Sequence, residues 1–192
     1  RTRSSPSSFS FIWWGKNWEN GRMKKRIYRN FLEIKSITFL KEKNKPHNDL
    51  KIEKLETEDF RINKFFYKQI GKSYSWKDRL IWTDNQWMKY VNNKNVHTYI
   101  LKKNADFVGF FELIYHQSKK EIEIAYFGIL PEYFENGFGG FMLTEAIKCS
   151  FHFNVNRVWV HTCSLDHSNA LKNYLARGMK IYLNEVFEKK IA

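Results

Sequence analysis

The sequence predicts a single α/β domain, of the α+β kind, built on a mixed and mostly antiparallel sheet. Residues 97–129 hold three strand patterns separated by short polar turns, which is typical of an antiparallel meander. Residues 139–187 then alternate helix and strand patterns, which indicates helices packed on that sheet. A chain of 192 residues with 43% apolar residues is long enough for one buried core and too short for two full domains.

The segment 1–22 is rich in Ser, Trp and Arg and shows neither helical nor strand periodicity. We predict that it is an upstream extension of the reading frame, with translation starting at Met23. The alternative is a flexible basic tail. Residues 23–192 are then predicted to form the single domain.

Two strand patterns come next. Residues 27–40 alternate in polarity and contain β-branched side chains, until the polar stretch KEKNKPH interrupts the pattern. Residues 49–56 alternate again, with Leu50 and Ile52 two positions apart. Both segments are predicted to be strands.

Two helices follow these strands. Residues 57–71 have apolar side chains at helical spacing, with Thr57 or Asp59 as the cap and Gly71 as the end. Residues 83–93 are predicted to form a second, shorter helix. Its inward side chains are expected to be Trp87, Met88 and Val91.

The meander is predicted from strands at residues 97–103, 106–116 and 121–129. A tight Asn-Ala turn joins the first two, and the stretch QSKK leads to the third. An amphipathic helix is then predicted over residues 139–153. Its buried positions are expected to be Met142, Leu143, Ala146, Ile147 and Ser150.

The last three predicted elements are a strand, a helix and a strand. Residues 157–163 and 180–187 have strand patterns, and the helix between them is predicted to be capped by Asp166 and ended by Gly178. The predicted order from residue 49 onward is therefore β-α-α-β-β-β-α-β-α-β.

The formal charge of +13 raises the question of nucleic-acid binding. Most of the excess Lys and Arg lies in the N-terminal quarter of the chain, so the main body is only mildly basic. No recognised nucleic-acid motif accompanies the charge, and we predict no nucleic-acid partner.

The sequence also gives little indication of a membrane span, a disulfide framework or a metal-binding cysteine pair. No apolar run approaches the ~20 residues that span a bilayer, so no membrane partner is expected. Cys149 and Cys163 do not have the spacing of a disulfide framework or a metal site. We therefore predict a cytoplasmic protein.

The stretch ILPEYFENGFGGFMLTEAI places three glycines within four positions, between a strand and a helix. A glycine turn that opens a helix exposes backbone N–H groups at the positive end of the helix dipole, which suits a diphosphate. Gly137 and Gly139 would allow close approach, and Gly140 would lie in the first helical turn. The alternative is that the glycines only make a sharp turn.

The spacing fits neither of two other phosphate loops, because no Lys-Ser or Lys-Thr follows Gly140 and Met142 stands where GxGxxG needs glycine. Residues 134–139, preceded by ILP, resemble the acetyl-CoA signature of the GCN5-related N-acetyltransferase (GNAT) superfamily, usually Gln/Arg-x-x-Gly-x-Gly/Ala. ALKNYLARGMKIY resembles that superfamily's last helix and strand. The resemblance covers residues 97–192 and, more loosely, 50–96. It is strongest to a bacterial branch without an assigned substrate, on EIEIAYFGILPE and VWVHTCSLDHSNAL.

The resemblance implies helices on both faces of the sheet and acetyl-CoA as co-substrate, without a metal. It implies acetyl transfer to a primary amine of a small molecule or peptide, by direct attack in a ternary complex. The chain would act alone or as a homodimer. The alternative is a catalytically weak acyl-CoA-binding sensor or scaffold, because Phe134 and His167 replace the superfamily's usual Gln or Arg and its usual Asn.

The resemblance also implies which residues bind acetyl-CoA. Backbone groups near Phe127 and Ile129 would pair with pantetheine as an added strand, where residues 121–129 separate from residues 157–163. The full predicted set is Phe127, Ile129, Phe134, Glu135, Asn136, Gly137, Phe138, Gly139, Gly140, His167 and Ala170.

Three residues are predicted to carry the chemistry. Glu123 has the spacing of the general base in histone-acetylating relatives, and Glu112 is the second candidate. Tyr174 falls on the superfamily's tyrosine, which would protonate the leaving thiolate. The alternatives are that Glu123 is a solvated strand residue and Tyr174 a core aromatic. His161 and Cys163 share a strand face but lack the partners of a zinc or nucleophilic site.

Overall fold

The computed structural model describes residues 18–19, 22–56, 59–74 and 76–190. Eight strands in these ranges form a mixed sheet. They are β1 (Trp18–Glu19), β2 (Arg22–Ile34), β3 (Leu50–Lys54), β4 (Val96–Lys103), β5 (Asp106–His116), β6 (Glu121–Ile129), β7 (Arg157–Cys163) and β8 (Lys180–Lys190). The strand order is β1-β2-β7-β6-β5-β4-β3, and β8 also pairs with β2. The β6–β7 pair is parallel and the others are antiparallel.

Helices cover both faces of this sheet, as predicted. They are α1 (Phe60–Gly71), α2 (Asp84–Val91), α3 (Phe138–Phe151) and α4 (Ala170–Ala176). Phe66 of α1 packs with Phe110 of β5 in one core, whereas α3 packs with Phe111 and Leu113 in the other. Because neighbouring residues of a strand point to opposite faces, these cores lie on the two sides of the sheet. The predicted element order from β3 to β8 is confirmed.

Capping side chains explain where α1 and α2 begin. Asp59 Oδ1 accepts a hydrogen bond from the backbone N–H of Arg61 at 3.1 Å. Thr57, the other predicted cap, lies outside the described residues. Thr83 Oγ1 accepts from the backbone N–H of Gln86 at 3.3 Å, and the Gln86 side chain accepts from the Thr83 N–H at 2.8 Å. This reciprocal pair is a capping box.

Two sequence predictions about local detail are wrong. Met88 is 40% exposed instead of inward, because the eight-residue α2 buries Trp87 as its main contact with the core. The N-terminal strand also stops earlier than residue 40. β2 ends at Ile34, and residues 37–39 form a short 3-10 turn.

The cap predicted for α4 is also wrong. The Asp166 carboxylate accepts hydrogen bonds from Thr162 Oγ1 and the Cys163 N–H, each at 2.7 Å, so it closes the turn after β7. The helix starts later, after Asn169, whose side chain makes no capping bond.

The strand β2 occupies a position that the sequence did not predict. It lies between β7 and β8, where Phe31 is paired with His161 on one side and Leu183 on the other. Leu32 and Ile34 are buried in the core shared with α3. An N-terminal segment therefore completes the half of the sheet that is built from the C-terminal part of the chain.

The predicted N-terminal extension falls mostly outside the described residues. Trp18, Glu19 and Arg22 lie in the paired strands β1 and β2. The interpretation of residues 1–22 as an extension or tail stays a prediction.

The parallel pair β6 and β7 creates an opening in the sheet. The strands pair over residues 121–123 of β6, and then separate. On its other edge, β6 is paired with β5, with a bulge where the register skips Ala125. A bulge bends its strand. The second half of β6 therefore turns away from β7 and leaves space between them.

Candidate active site

A cavity of about 1160 Å³ lies at the opening between β6 and β7. Its lining includes the glycine turn before α3, the second half of β6 and the start of α4. The segment between α1 and α2 and the strands β2 and β8 also contribute lining residues. The cavity therefore joins the predicted cofactor region to residues that the sequence motifs did not include.

The glycine turn has the geometry of an anion-binding helix start. Gly137 has φ 73°, a left-handed conformation that costs other residues about 1–2 kcal/mol, and it directly precedes α3. A Cβ at Gly137 would meet no atom within 4 Å, and one at Gly139 would only contact the side-chain amide of Asn173 at 3.7 Å. The first N–H groups of α3 are therefore accessible from the cavity.

Two cations stand beside this turn. A Cβ at Gly140 would lie 2.6 Å from Arg177 Nη1 and 3.1 Å from Cγ of Lys43. The segment that carries Lys43 is held in place because its Lys41 N–H donates to the Arg177 carbonyl at 3.0 Å. Gly178, at φ 94°, allows the backbone of this segment to pack against it. A Cβ at this position would lie 2.1 Å from the Phe39 carbonyl oxygen.

Arg177 lacks an acidic partner among the described residues. Its Nε is buried without a hydrogen bond, and burial lowers the pKa of the guanidinium. An unpaired buried donor costs free energy unless a ligand satisfies it. The side chain is therefore a ready partner for an anion at the start of α3.

Most of the predicted cofactor residues line the cavity. These are Phe127, Ile129, Phe134, Glu135, Gly137, Phe138, Gly139, Gly140, His167 and Ala170. Asn136 is outside the lining, and its side-chain amide donates to the Phe134 carbonyl at 3.0 Å. The Phe134 ring packs edge-on against His167, with centroids 5.3 Å apart. The two residues that depart from the superfamily pattern thus contact each other.

Tyr174 lines the cavity from α4 and is 6% exposed. Its ring packs against Phe127 of β6, with centroids 6.3 Å apart. Burial raises the pKa of the Tyr174 hydroxyl well above its ordinary value. The hydroxyl therefore keeps its proton at neutral pH, as a proton donor must.

Glu123 does not line the cavity. It lies in the paired part of β6, opposite Trp159, and its Oε2 is 2.9 Å from Nε2 of His116. His161, two residues further along β7 than Trp159, does line the cavity. Burial and Arg29 lower the pKa of His161, and Glu123 acts in the opposite direction. The role of Glu123 as base stays a prediction.

Glu112, the second candidate base, is completely buried away from the cavity. Its Oε2 accepts from Arg79 Nη1 at 2.9 Å and from Tyr90 Oη at 2.7 Å. Its Oε1 accepts from the Asn63 side chain at 2.7 Å. Both oxygens are occupied by partners inside the protein, so the contacts favour a structural function.

The model of the acetyltransferase (GNAT) family matches residues 51–179 of this chain. The chain belongs to this family. The match extends from β3 to the residue after Gly178, so it includes the GNAT glycine turn and the opening between β6 and β7.

Solved structures of other GNAT proteins share the fold. An aminoglycoside acetyltransferase from an uncultured soil metagenomic sample has 19% identity and a TM-score of 0.58, covering 69% of this chain and 90% of that one. The GCN5-related N-acetyltransferase from Kribbella flavida has 11% identity and a TM-score of 0.62, covering 90% and 61%. The one from Sphaerobacter thermophilus has 13% identity and a TM-score of 0.63, covering 85% and 51%. This chain thus spans roughly half to nine-tenths of these GNAT chains. No curated protein sequence matches it.

The sequence motifs of the GNAT family did not include three further residues that line the cavity. Asp78 and Trp76 line it from the segment between α1 and α2, and Tyr126 lines it from β6. The stretch WKDR, residues 76–79, combines an aromatic residue with three charged residues between two helices, and it was the one sequence feature that could have drawn attention to this part of the cavity. Its spacing could not indicate that Asp78 contacts Tyr126, because Tyr126 is distant in sequence.

The part of the chain that the structure describes holds neither a metal-binding cluster nor a membrane-spanning helix. No group of three or more His, Cys, Asp or Glu side chains there could hold a metal ion. Cys149 and Cys163 are both free thiols. None of the described helices has the length and apolar character of a membrane span.

Proposed function

We propose that this GNAT protein transfers the acetyl group of acetyl-CoA to a primary amine of a small molecule or peptide, by direct attack in a ternary complex. The observation that carries the proposal is the convergence of three anion-binding features at one end of the cavity. These are the Gly137 turn before α3, the Lys43 side chain and the unpaired Arg177 guanidinium.

The diphosphate of acetyl-CoA fits this end. The first N–H groups of α3 would bind its oxygens, with the helix dipole favouring the negative charge. Phe134 cannot supply the polar side chain that the GNAT signature usually has there. Lys43 and Arg177 supply positive charge instead, and the planar Arg177 guanidinium suits phosphate oxygens.

The pantetheine arm fits the edge of β6. Beyond Glu123, β6 keeps its pairing with β5 on one edge while its other edge faces the opening. Backbone groups near Phe127 and Ile129 can therefore pair with the amides of pantetheine, as an added strand would. This mode of binding depends on main-chain groups and tolerates side-chain differences.

The transfer needs a neutral amine and a proton for the leaving sulfur. The amine nitrogen forms a bond to the thioester carbon, the carbon–sulfur bond breaks, and the thiolate takes a proton from Tyr174. The amine proton passes to a base. Because Glu123 lies outside the cavity lining, it would act through an intermediate group, and His161 is the titratable lining residue nearest to it along β7.

Two measurements on the purified chain test the proposal. Acetyl-CoA at ~100 times its dissociation constant should stabilise the protein by about 2.7 kcal/mol, visible as a higher melting temperature. Release of the CoA thiol should then be detected with some members of a primary-amine panel. An unchanged melting curve at millimolar acetyl-CoA would contradict the proposal.

The competing function is an acyl-CoA-binding sensor or scaffold. It predicts the same stabilisation without thiol release from any amine class. The cytoplasmic location and the homodimer stay predictions that these experiments do not address.

A further inference from the structure

Asp78 places a carboxylate in the cavity wall without a cationic partner among the described residues. Its Oδ1 accepts from Tyr67 Oη at 2.8 Å, and its Oδ2 accepts from Tyr126 Oη at 2.7 Å. A carboxylate has about four acceptor positions, so two phenols leave acceptor capacity for a ligand. Since Asp78 lines the cavity, a ligand there can reach it.

The neighbouring Arg79 makes no ion pair with Asp78, although its charge helps to lower the Asp78 pKa. Arg79 Nη1 is paired at 2.9 Å with Glu112, and both side chains are buried. Its guanidinium is also enclosed by aromatic rings from α1, α2 and β6, the nearest being Tyr90 and Tyr126, at 4.0 and 4.1 Å from the ring centroids. Arg79 is therefore engaged by Glu112 and by the aromatic rings, and the Asp78 carboxylate stays accessible to a ligand in the cavity.

Asp78 is anionic at neutral pH. Burial acts to raise the pKa of the Asp78 carboxyl, but the hydrogen bonds from Tyr126 and Tyr67, a backbone hydrogen bond and the charge of Arg79 together outweigh burial and leave the pKa below its ordinary value. A carboxylate with a lowered pKa is a weak base. It is better suited to hold a positive charge than to remove a proton.

Aromatic rings stand beside the carboxylate. Trp76 and Tyr126 both line the cavity, with ring centroids 4.9 Å apart and nearly perpendicular planes. Aromatic faces attract ammonium and guanidinium groups, and a carboxylate next to such rings strengthens that preference. Of the lining cations, Lys77 is the exposed neighbour of Asp78. The others belong to other parts of the chain, namely Arg29 on β2, Lys189 on β8, Lys172 on α4, and Lys43 and Arg177 beside the glycine turn.

We propose that Asp78, with Trp76 and Tyr126, binds a second cationic group of the acceptor, separate from the amine that is acetylated. This inference rests on the proposed acetyl transfer. A counter-ion on the reacting amine would stabilise its ammonium form and oppose its attack on the thioester. The Asp78 site therefore suits a substrate with two positive groups, such as a diamine or an amine that also carries a guanidinium.

Matched amines test this inference. We expect 1,5-diaminopentane and agmatine to have kcat/KM values about 10- to 100-fold above those of pentylamine and butylamine, because a charge-assisted hydrogen bond contributes about 1.5–3 kcal/mol. Asp78→Asn should remove this preference mainly through a higher KM for the dicationic amines, with the monoamine values unchanged. Asp78→Glu, which keeps the charge, should restore part of it.

Asp84→Asn is the matched control. It removes the same charge from α2, where Asp84 is paired with Lys64 at the surface outside the cavity lining. This variant should keep the full preference for dicationic amines. Calorimetry of 1,5-diaminopentane binding to the CoA-loaded protein provides a readout without turnover, and we expect binding to wild type and Asp84→Asn but not to Asp78→Asn.

The two proposals fail in different ways. If acetyl-CoA stabilises the protein and amines are acetylated without any preference for a second charge, the Asp78 inference is wrong and the acetyl transfer stands. Equal losses in Asp78→Asn and Asp84→Asn would also overturn it. Absence of acetyl-CoA binding would overturn the proposed function, and diamine calorimetry on the free protein would then decide about Asp78.

Discussion

The glycine turn and the wall around Asp78 face one cavity, but they are built in different ways. The turn consists of residues 134–140 and uses backbone groups with a left-handed glycine. The wall consists of side chains from α1, the segment after α1, β5 and β6, linked by the Arg79–Glu112 pair. One region depends on chain conformation and the other on long-range side-chain contacts.

This difference indicates how each region can vary. Backbone donors survive most side-chain changes, so a turn with Phe134 in place of the usual polar residue can keep its binding geometry. In the wall, each side chain is a partner of another, and a single change leaves a buried group without its contact. Cofactor binding should therefore tolerate more substitutions than acceptor selection.

The largest expected effect is at Tyr174, which lines the same cavity from α4. Tyr174→Phe should lower kcat roughly 10²–10⁴-fold with acetyl-CoA affinity unchanged, because it removes the proton donor without creating a cavity. Tyr99→Phe, which changes a tyrosine outside the cavity lining, should keep activity. Because the Tyr174 pKa is raised, wild-type activity should not fall through loss of this proton below pH 10.0, the ordinary tyrosine value. Full activity of Tyr174→Phe would show that the Tyr174 hydroxyl is not the proton donor and that the side chain only packs in the core.

The next effect tests how far the acceptor wall depends on its buried ion pair. Glu112→Gln should lower the free energy of unfolding by about 3–5 kcal/mol, because it leaves the buried Arg79 charge without its counter-ion. Urea denaturation measures this. Glu53→Gln, which breaks a partly exposed pair with Lys102, should have a much smaller effect. Similar results for the two variants would mean that the wall is not held by this pair.

At the glycine turn, Gly139→Glu should abolish stabilisation by acetyl-CoA, a loss of about 2.7 kcal/mol at 100 times the wild-type dissociation constant. The new carboxylate would occupy the diphosphate site, and the protein should still fold because a Cβ at Gly139 makes only an ordinary contact with the Asn173 side chain, at 3.7 Å. Melting curves with and without acetyl-CoA measure the change. Gly139→Ala is the control and should keep most of the response. A Glu variant that still responds would place the diphosphate elsewhere.

Arg177 tests whether side chains supplement the turn. Arg177→Gln should weaken acetyl-CoA binding about tenfold, or about 1.4 kcal/mol, by removing a charged partner of the diphosphate. Calorimetry gives the dissociation constants. Lys68→Gln removes the same charge from the exposed end of α1 and should leave affinity unchanged. If wild type, Arg177→Gln and Lys68→Gln bound acetyl-CoA with equal affinity, Arg177 would not contribute and the backbone of the glycine turn would account for diphosphate binding.

The smallest effect concerns the phenol next to Asp78. Tyr126→Phe should destabilise the protein by about 1 kcal/mol at neutral pH, because it removes one hydrogen bond to the carboxylate. The folded-state pKa of Asp78 is lowered, so its stabilisation is present above the ordinary value of 3.8 and is lost as the pH falls through the folded-state pKa. The difference from wild type should therefore shrink in acid. Urea denaturation at neutral and acidic pH checks this, with Tyr28→Phe as an exposed control. If the stability difference between Tyr126→Phe and wild type did not change with pH, the contribution of Tyr126 to stability would not depend on the charge of Asp78.

The elements with clear local signals were predicted well. β5, β6 and β7 have the bounds that their alternation indicated, and α3 buries all five side chains expected from its helical spacing. One of the errors arose because a polar residue had two possible local partners. Asp166 could cap a helix or close the turn after β7, and the second use prevailed because the Thr162 hydroxyl and the Cys163 N–H were both in reach.

The sequence by itself was sufficient to predict the order of elements from β3 to β8, the glycine turn and membership of the GNAT family. The signal for each of these lies in residues that are close together along the chain. Only the tertiary structure decided that β2 lies between β7 and β8, that Arg177 and Lys43 both lie beside Gly140, and that Asp78 shares the cavity wall with Tyr126. Periodicity and spacing report the conformation of a segment. Which segments contact each other depends on how the two cores pack, and no short stretch of sequence contains that information.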